Sequence, residues 1–181
     1  MLKKGGLYFM KKYWIISLAV GMAVLFSACG VGNVGGLPGG ASSQASSAVS
    51  SQVTADKFDD NLQGLEKYLT AAAQLSGTPT ATQADVIGAK KGDRYSYGNN
   101  GGKNNMTVEL YEYDPSSLND TAQKRLAEAK SSGKLTILDQ QVNAVVSDSG
   151  KYLMIYRNTA SGDADKAYDK ELVQLFSGFK K

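Results

Sequence analysis

The chain has no histidine among its 181 residues. That removes the commonest general base and the commonest metal ligand, and with them any Ser-His-Asp or Cys-His arrangement. Cysteine occurs once, at Cys29. No intramolecular disulfide can form, and no zinc site of the usual Cys/His type can be assembled. Net charge is nearly lacking too. Lysine and arginine number 20 against 17 acids, but four of those lysines and no acid lie in residues 1–28. The remainder therefore carries 16 basic and 17 acidic groups. A near-neutral body gives no electrostatic case for nucleic acid as a partner. Nor is there an apolar run long enough to span a bilayer: Trp14 to Phe26 falls short of the roughly 20 residues required.

What the first residues do contain follows a definite order. Lys11 and Lys12 precede an apolar stretch holding Ile15, Ile16, Leu18, Val20, Val24 and Leu25. The small residues Ser27 and Ala28 lead to Cys29. Positive start, short apolar run and small-residue cleavage site make a secretory signal. The segment Leu25-Phe26-Ser27-Ala28-Cys29 resembles a bacterial lipoprotein signal. The resemblance implies that the Cys29 thiol receives a diacylglycerol and that cleavage before it leaves a lipid-anchored (palmitate-type) N-terminus. The family usually has leucine three residues before the cysteine, where this chain has Phe26. Met10-Lys11-Lys12-Tyr13-Trp14 makes a compact signal by itself, so Met1 and Met10 are both candidate starts. The expectation is a signal peptide over 1–28, a lipidated cysteine with a tether over 29–54, and one extracytoplasmic domain over 55–181.

Gly30 to Thr54 is built from glycine, serine, alanine, valine and glutamine, with no charge. Such a segment cannot bury enough surface to offset its ordering entropy and predicts a flexible linker. Within it, Gly30-Val31-Gly32-Asn33-Val34-Gly35 fits G-x-G-x-x-G. A dinucleotide site needs a strand before these glycines and a helix after them. Here a signal precedes and a serine-rich tether follows, so the nucleotide reading fails.

Residues 55–181 suffice for one domain. Phe58, Leu62, Leu65 and Leu69 predict a helix from Asp56, capped by Thr54 or Asp56 and ended by Gly77 and Pro79. A short turn over Thr82–Ile87 and a strand over Asp93–Tyr97 follow, then a glycine- and asparagine-rich hairpin loop at Gly98–Asn105. Met106 to Tyr113 alternates as a half-buried strand. Asn119 or Asp120 starts a helix that Gly133 stops. Leu135–Leu138, Val142–Val146 and Lys151–Arg157 read as strands, and Asp163–Ser177 as a closing helix. The expected fold class is α+β: an antiparallel sheet of four to five strands with about three helices packed on one face. From Met106 to Ser177 the order, with Val145-Val146 and Gly150-Lys151-Tyr152, resembles the small uncharacterised lipoprotein domains of Gram-positive bacteria. The resemblance implies an extracytoplasmic lipoprotein and carries over no functional residue.

Chemistry-bearing groups are few. Glu109 and Glu112 form the only central carboxylate pair, but a spacing of three on a strand points them to opposite faces. Asp163-Ala164-Asp165 lacks the glycine and closing glutamate of a calcium loop and reads as helix capping. Lys90, Lys91, Arg94 and Lys103 make a basic group that could meet anionic headgroups or wall polymers. The tyrosines come in pairs: Tyr95 with Tyr97, Tyr111 with Tyr113, and Tyr152 with Tyr156. If the strands are neighbours in register, these six form an outward recognition face for glycan or peptide; otherwise they pack beneath a helix or loop. The expected function is a lipid-anchored, non-enzymatic binding or adaptor domain on the extracytoplasmic face of the cell membrane. It needs no cofactor or metal. Its partners are the membrane through Cys29 and a cell-wall polymer or membrane protein. A solute-binding accessory of a transporter and a carboxylate-dependent cell-wall hydrolase are the alternatives.

Overall fold

The structure, a computed structural model, describes residues 53–181. The signal, Cys29, the tether as far as residue 52 and the Gly30–Gly35 motif lie outside the described residues. Val53 already packs against the core, so the folded body includes the last residues of the expected tether.

A 3-10 turn (Ala55–Lys57) leads to α1 (Leu62–Ala73), then β1 (Thr80–Ala81) and a second 3-10 turn (Ala84–Ile87). Two long strands follow, β2 (Lys91–Tyr97) and β3 (Met106–Glu112). Then come α2 (Asp120–Ser132), β4 (Lys134–Ile137), β5 (Gln140–Val146), β6 (Tyr152–Asn158) and α3 (Asp163–Ser177). The class is α+β as expected, but the sheet has six strands rather than four or five, in the order β1-β2-β3-β6-β5-β4, all antiparallel. The additional strand is β1, whose two residues pair with Asp93 and Arg94 and are too few for any periodic signal.

The first helix begins six residues later than its spacing predicts. Phe58 lies four positions before Leu62 and imitates the helical period, yet it precedes the helix and packs edge-on against Tyr68, with centroids 5.6 Å apart. The actual cap is Asn61, whose side chain accepts the Gly64 N–H at 2.8 Å. Glu112 reaches across from the end of β3 and accepts the Leu62 N–H at 3.1 Å. That places a carboxylate at the positive end of α1. Asn119 caps α2 in the same way, and Gly133 ends it with φ +67°.

The helices do not share one face. α1 and α3 cover one side of the sheet, burying Met106, Val108 and Leu110 of β3 with Leu65, Leu69, Leu172 and Phe176. α2 and the second 3-10 turn lie on the other side, where Ala122, Leu126 and Ile87 pack with Tyr111, Tyr113, Leu153 and Ile155. The alternation of Met, Val and Leu with Thr, Glu and Tyr reads as one dry and one wet face. The ring of tyrosine is apolar enough to be buried, so the second face is covered too.

The two edges of the sheet differ. β1 is very short and exposed, and at β4 the Thr136 backbone groups are taken by α2 side chains. Glu128 accepts the Thr136 N–H at 2.7 Å, and Arg125 donates to the Thr136 carbonyl at 2.8 Å. Side chains thereby take the place of a further strand. At the opposite side of the core, Phe179 is fully buried, stacks on Tyr68 at 5.4 Å and meets Tyr152 edge-on at 5.5 Å. Phe179→Ala is expected to cost about 3–5 kcal/mol, read as a lowered midpoint in denaturant unfolding. A change near zero would show that the segment after α3 is dispensable to the core.

Candidate ligand-binding cleft

α2 covers only part of its face of the sheet. Beside it an open cleft of about 550 Å³ runs between two walls. One wall is the chain from Thr80 to Gln83 with Val86 and Ile87 of the second 3-10 turn; the other is the β4–β5 hairpin. Arg94, Glu109, Tyr111 and Ile155 form the floor. A hollow of about 260 Å³ shares Arg94 and Glu109 and extends to Ser96, Thr107 and Arg157.

The floor follows from strand pairing. Arg94 on β2 stands directly opposite Glu109 on β3. The Arg94 Nε donates to Glu109 Oε1 at 2.7 Å, and its terminal nitrogen pairs with the same oxygen. The Tyr111 hydroxyl, two residues along the same face, donates to Glu109 Oε2 at 2.6 Å. Both carboxylate oxygens are thus engaged. Burial, then the bond to the Glu109 carboxylate, drives the Tyr111 phenol above its ordinary range, so it remains a protonated donor. The Arg94 side chain is 56 % exposed while Glu109 is 12 % exposed, which leaves the guanidinium open toward the cleft.

Gly92 shapes the inner end of the cleft. A Cβ there would come within 2.5 Å of both the Tyr111 ring and Thr82 Oγ1, so only glycine lets this ring lie on β2. Thr82 Oγ1 is buried and has no hydrogen-bond partner among the described residues. At the rim stand the two large apolar side chains left exposed in the described body, Val86 at 57 % and Leu138 at 92 %. Leu138 and Asp139 form the two-residue turn between β4 and β5, both with left-handed backbone (φ +46° and +62°).

The tyrosines expected to make one outward face divide between the two faces. Tyr111 and Tyr113 turn toward α2 and the 3-10 turn, and the Tyr113 hydroxyl donates to the Ile87 carbonyl at 3.2 Å. Tyr95, Tyr97, Tyr152 and Tyr156 turn toward α1 and α3. Tyr97 and Tyr168 join hydroxyls at 2.6 Å, and Tyr152 donates to Asp60 at 2.7 Å. All six are buried except Tyr156, which is half-buried. The outward face is therefore corrected: pairs spaced by two share a face, but the strands meet in a register that opposes Tyr111 to Leu153 and Gly92 rather than to another tyrosine. Tyr111 is the one among them that lines the main cleft.

The remaining candidates separate as well. Glu112 leaves Glu109 on the other face, as its spacing requires, and pairs with Lys151 at 3.7 Å while capping α1. Asp165 caps α3 by accepting the Gly162 N–H at 3.1 Å, and it holds Asn100 of the β2–β3 loop at 3.1 Å. Of the basic group, Arg94 alone enters the cleft; Lys90 and Lys91 sit at the start of β2, and Lys103 lies beyond its far end. Among the described residues no group of three or more acids or other ligating side chains is arranged to hold a metal ion. Nor is any described helix long and apolar enough to cross a membrane. Arg157, Thr82 and Leu138 were not distinguishable in the sequence, where each reads as the end of a strand or turn. None of the protein-family models, curated proteins or solved structures compared with the chain matches it.

A second cluster lies under α1. Glu66 faces Asp93 in a hollow of about 400 Å³, and Glu66 Oε1 is buried without a hydrogen-bond partner among the described residues. Burial, then the adjacent Asp93 carboxyl, raises Glu66 from 4.5 to about 7. Its folded-state value thus exceeds its unfolded one. The contribution to stability is complete below 4.5 and is lost as pH rises through about 7. The melting temperature is expected to fall from about pH 5 to about pH 8, and Glu66→Gln to flatten that slope and raise the value at the alkaline end. An unchanged slope in the variant would assign the pH dependence to another group.

Burial of the tyrosines makes a direct contrast with an exposed recognition face. Tyr113→Ala is expected to cost about 3–5 kcal/mol, measured by urea unfolding, because a fully buried ring is removed. A loss below about 0.5 kcal/mol, the level of ordinary surface substitutions, would restore Tyr113 to the surface.

Proposed function

We propose that this protein is a lipid-anchored, non-enzymatic binding or adaptor domain held outside the cell membrane, taking its ligand in the cleft over Arg94, Glu109 and Tyr111. The anchor rests on the order of residues from Lys11 to Cys29. The binding role rests on one observation: an open cleft of about 550 Å³ whose floor is a fixed hydrogen-bonded unit and whose rim carries the exposed Val86 and Leu138. Cavities of this size, apolar with a few placed polar groups, are where ligands bind.

The floor favours recognition over catalysis. Glu109 has both oxygens occupied by Arg94 and Tyr111, which leaves neither of them free to meet a substrate atom. The one acid raised to about 7, Glu66, belongs to the opposite face of the sheet and does not converge with Glu109 on a single bond. A wall hydrolase built on paired carboxylates needs such convergence. A transporter's solute-binding accessory encloses its solute, whereas this cleft is open along its length.

The anchor has its own test. Cys29→Ala is expected to move the protein from the membrane to the soluble fraction and to abolish metabolic labelling with radioactive palmitate. Mass spectrometry of the wild-type N-terminal peptide is expected to find diacylglycerol on Cys29. Membrane retention of an unlabelled wild-type chain would reject the anchor.

A further inference from the structure

The electrostatics of the cleft specify its occupant more closely than its shape does. Arg157 on β6 stands opposite Thr107, and Thr107 stands opposite Ser96. Strand alternation puts Arg157 on the face of Ile155 and Leu153, the face of the cleft. Arg94, Ser96, Thr107 and Arg157 therefore surround the smaller hollow with two guanidinium groups and two hydroxyls. Glu109 is the only acid lining either hollow, and Arg94 and Tyr111 already satisfy it. Arg157 is exposed and has no acidic partner among the described residues. The hollow is thus a donor-rich, positively charged end to a cleft that is otherwise apolar. A carboxylate completes it, because guanidinium groups bind carboxylates through paired, directional hydrogen bonds.

Three kinds of occupant present such an anion: a small amphiphile, a membrane surface and a peptide. A small molecule filling the cleft meets Leu138 from the cleft side alone and leaves its outer side in water at the tip of the turn. A membrane surface meets the raised rim but does not reach a floor recessed between two walls. An extended peptide passes between Val86 and Leu138, covers both, and offers amide groups to a floor that holds donors and an acceptor. Addition of a strand at a sheet edge is not required and is blocked at β4 by Glu128 and Arg125.

We infer that the cleft binds an extended segment of a partner protein in which a carboxylate accompanies aliphatic side chains, the carboxylate meeting Arg157, Ser96 and Thr107 and an aliphatic side chain seated between Val86 and Leu138. This rests on the reading of the cleft as the binding site of the domain.

The test uses the full chain in detergent and two pools of octapeptides blocked at both ends, so that no terminal charge contributes. Each peptide has two aliphatic residues; one pool adds two acids, the other two lysines. Fluorescence anisotropy reads affinity, and amide signals of Thr107 and Leu138 read occupancy of the cleft. The acidic pool is expected to bind at least about tenfold more tightly than the lysine pool. Arg157→Glu, at an exposed position, is expected to invert that order. Leu138→Asn keeps a residue suited to left-handed backbone and is expected to weaken the acidic pool without lowering the melting temperature. Equal affinity for both pools, or no binding by either, overturns the peptide assignment. Phosphatidylglycerol vesicles and soluble cell-wall glycan fragments serve as further arms. If either moves the Thr107 and Leu138 signals while peptides do not, the cleft remains a binding site and only its occupant is wrong. If no probe moves them, the reading of the cleft as a binding site falls with it.

Discussion

The Glu109 carboxylate sits on the central strand of a sheet covered from both sides, and its two oxygens are held by Arg94 and Tyr111. Leaving a nearly buried carboxylate unpaired is costly, and pairing it in a fixed geometry orders whatever pairs with it. Arg94 is thereby fixed on β2 and Tyr111 is fixed over Gly92. The same three side chains form the cleft floor and reinforce the register between β2 and β3. A slip of one residue would turn Arg94 and Glu109 to opposite faces and put Met106, Val108 and Leu110 on the wrong side.

The two faces of β3 then divide the labour of the domain. Toward α1 and α3 the strand is apolar, and the packing there, closed by Phe179, is the larger core. Toward α2 the packing is smaller and incomplete, with the Arg94–Glu109 pair beyond the reach of the helix. Incomplete cover is what makes a cleft: α2 is spent on β4, β5 and the closing of an exposed edge, so the middle of the sheet is left to a short 3-10 turn and a two-residue hairpin tip. Short connections carry Val86 and Leu138 outward because neither segment has a helix or strand face with which to bury them.

Much of the fold was legible in the residues. Asn119 and Gly133 bound α2, the strand period of Met106–Tyr113 is real, and the terminal helix occupies Asp163–Ser177. Expectation and structure part where one residue type serves two environments. Phe58 kept a helical spacing without belonging to the helix, since an aromatic packs as well from the preceding turn. Tyrosine kept a strand period and was readable as an outward face, since its ring and hydroxyl suit surface and interior alike. β1 was invisible because two residues have no period. Of the cleft, the sequence singles out Tyr111, Glu109 and Arg94, but as members of three separate groups.

By itself the sequence determined the absences and the local elements. Without histidine the chain has no imidazole to place in the cleft, no cysteine occurs among the described residues, and strand parity alone put Glu109 and Glu112 on opposite faces. Those are properties of composition and of the backbone period, which act over a few residues. The tertiary structure decided which strands are neighbours, that helices cover both faces, and that Arg94, Thr107 and Arg157 meet beside Glu109. Residues separated by dozens of positions come together only through register, and register is fixed by the sum of burial over whole strands rather than by any local spacing.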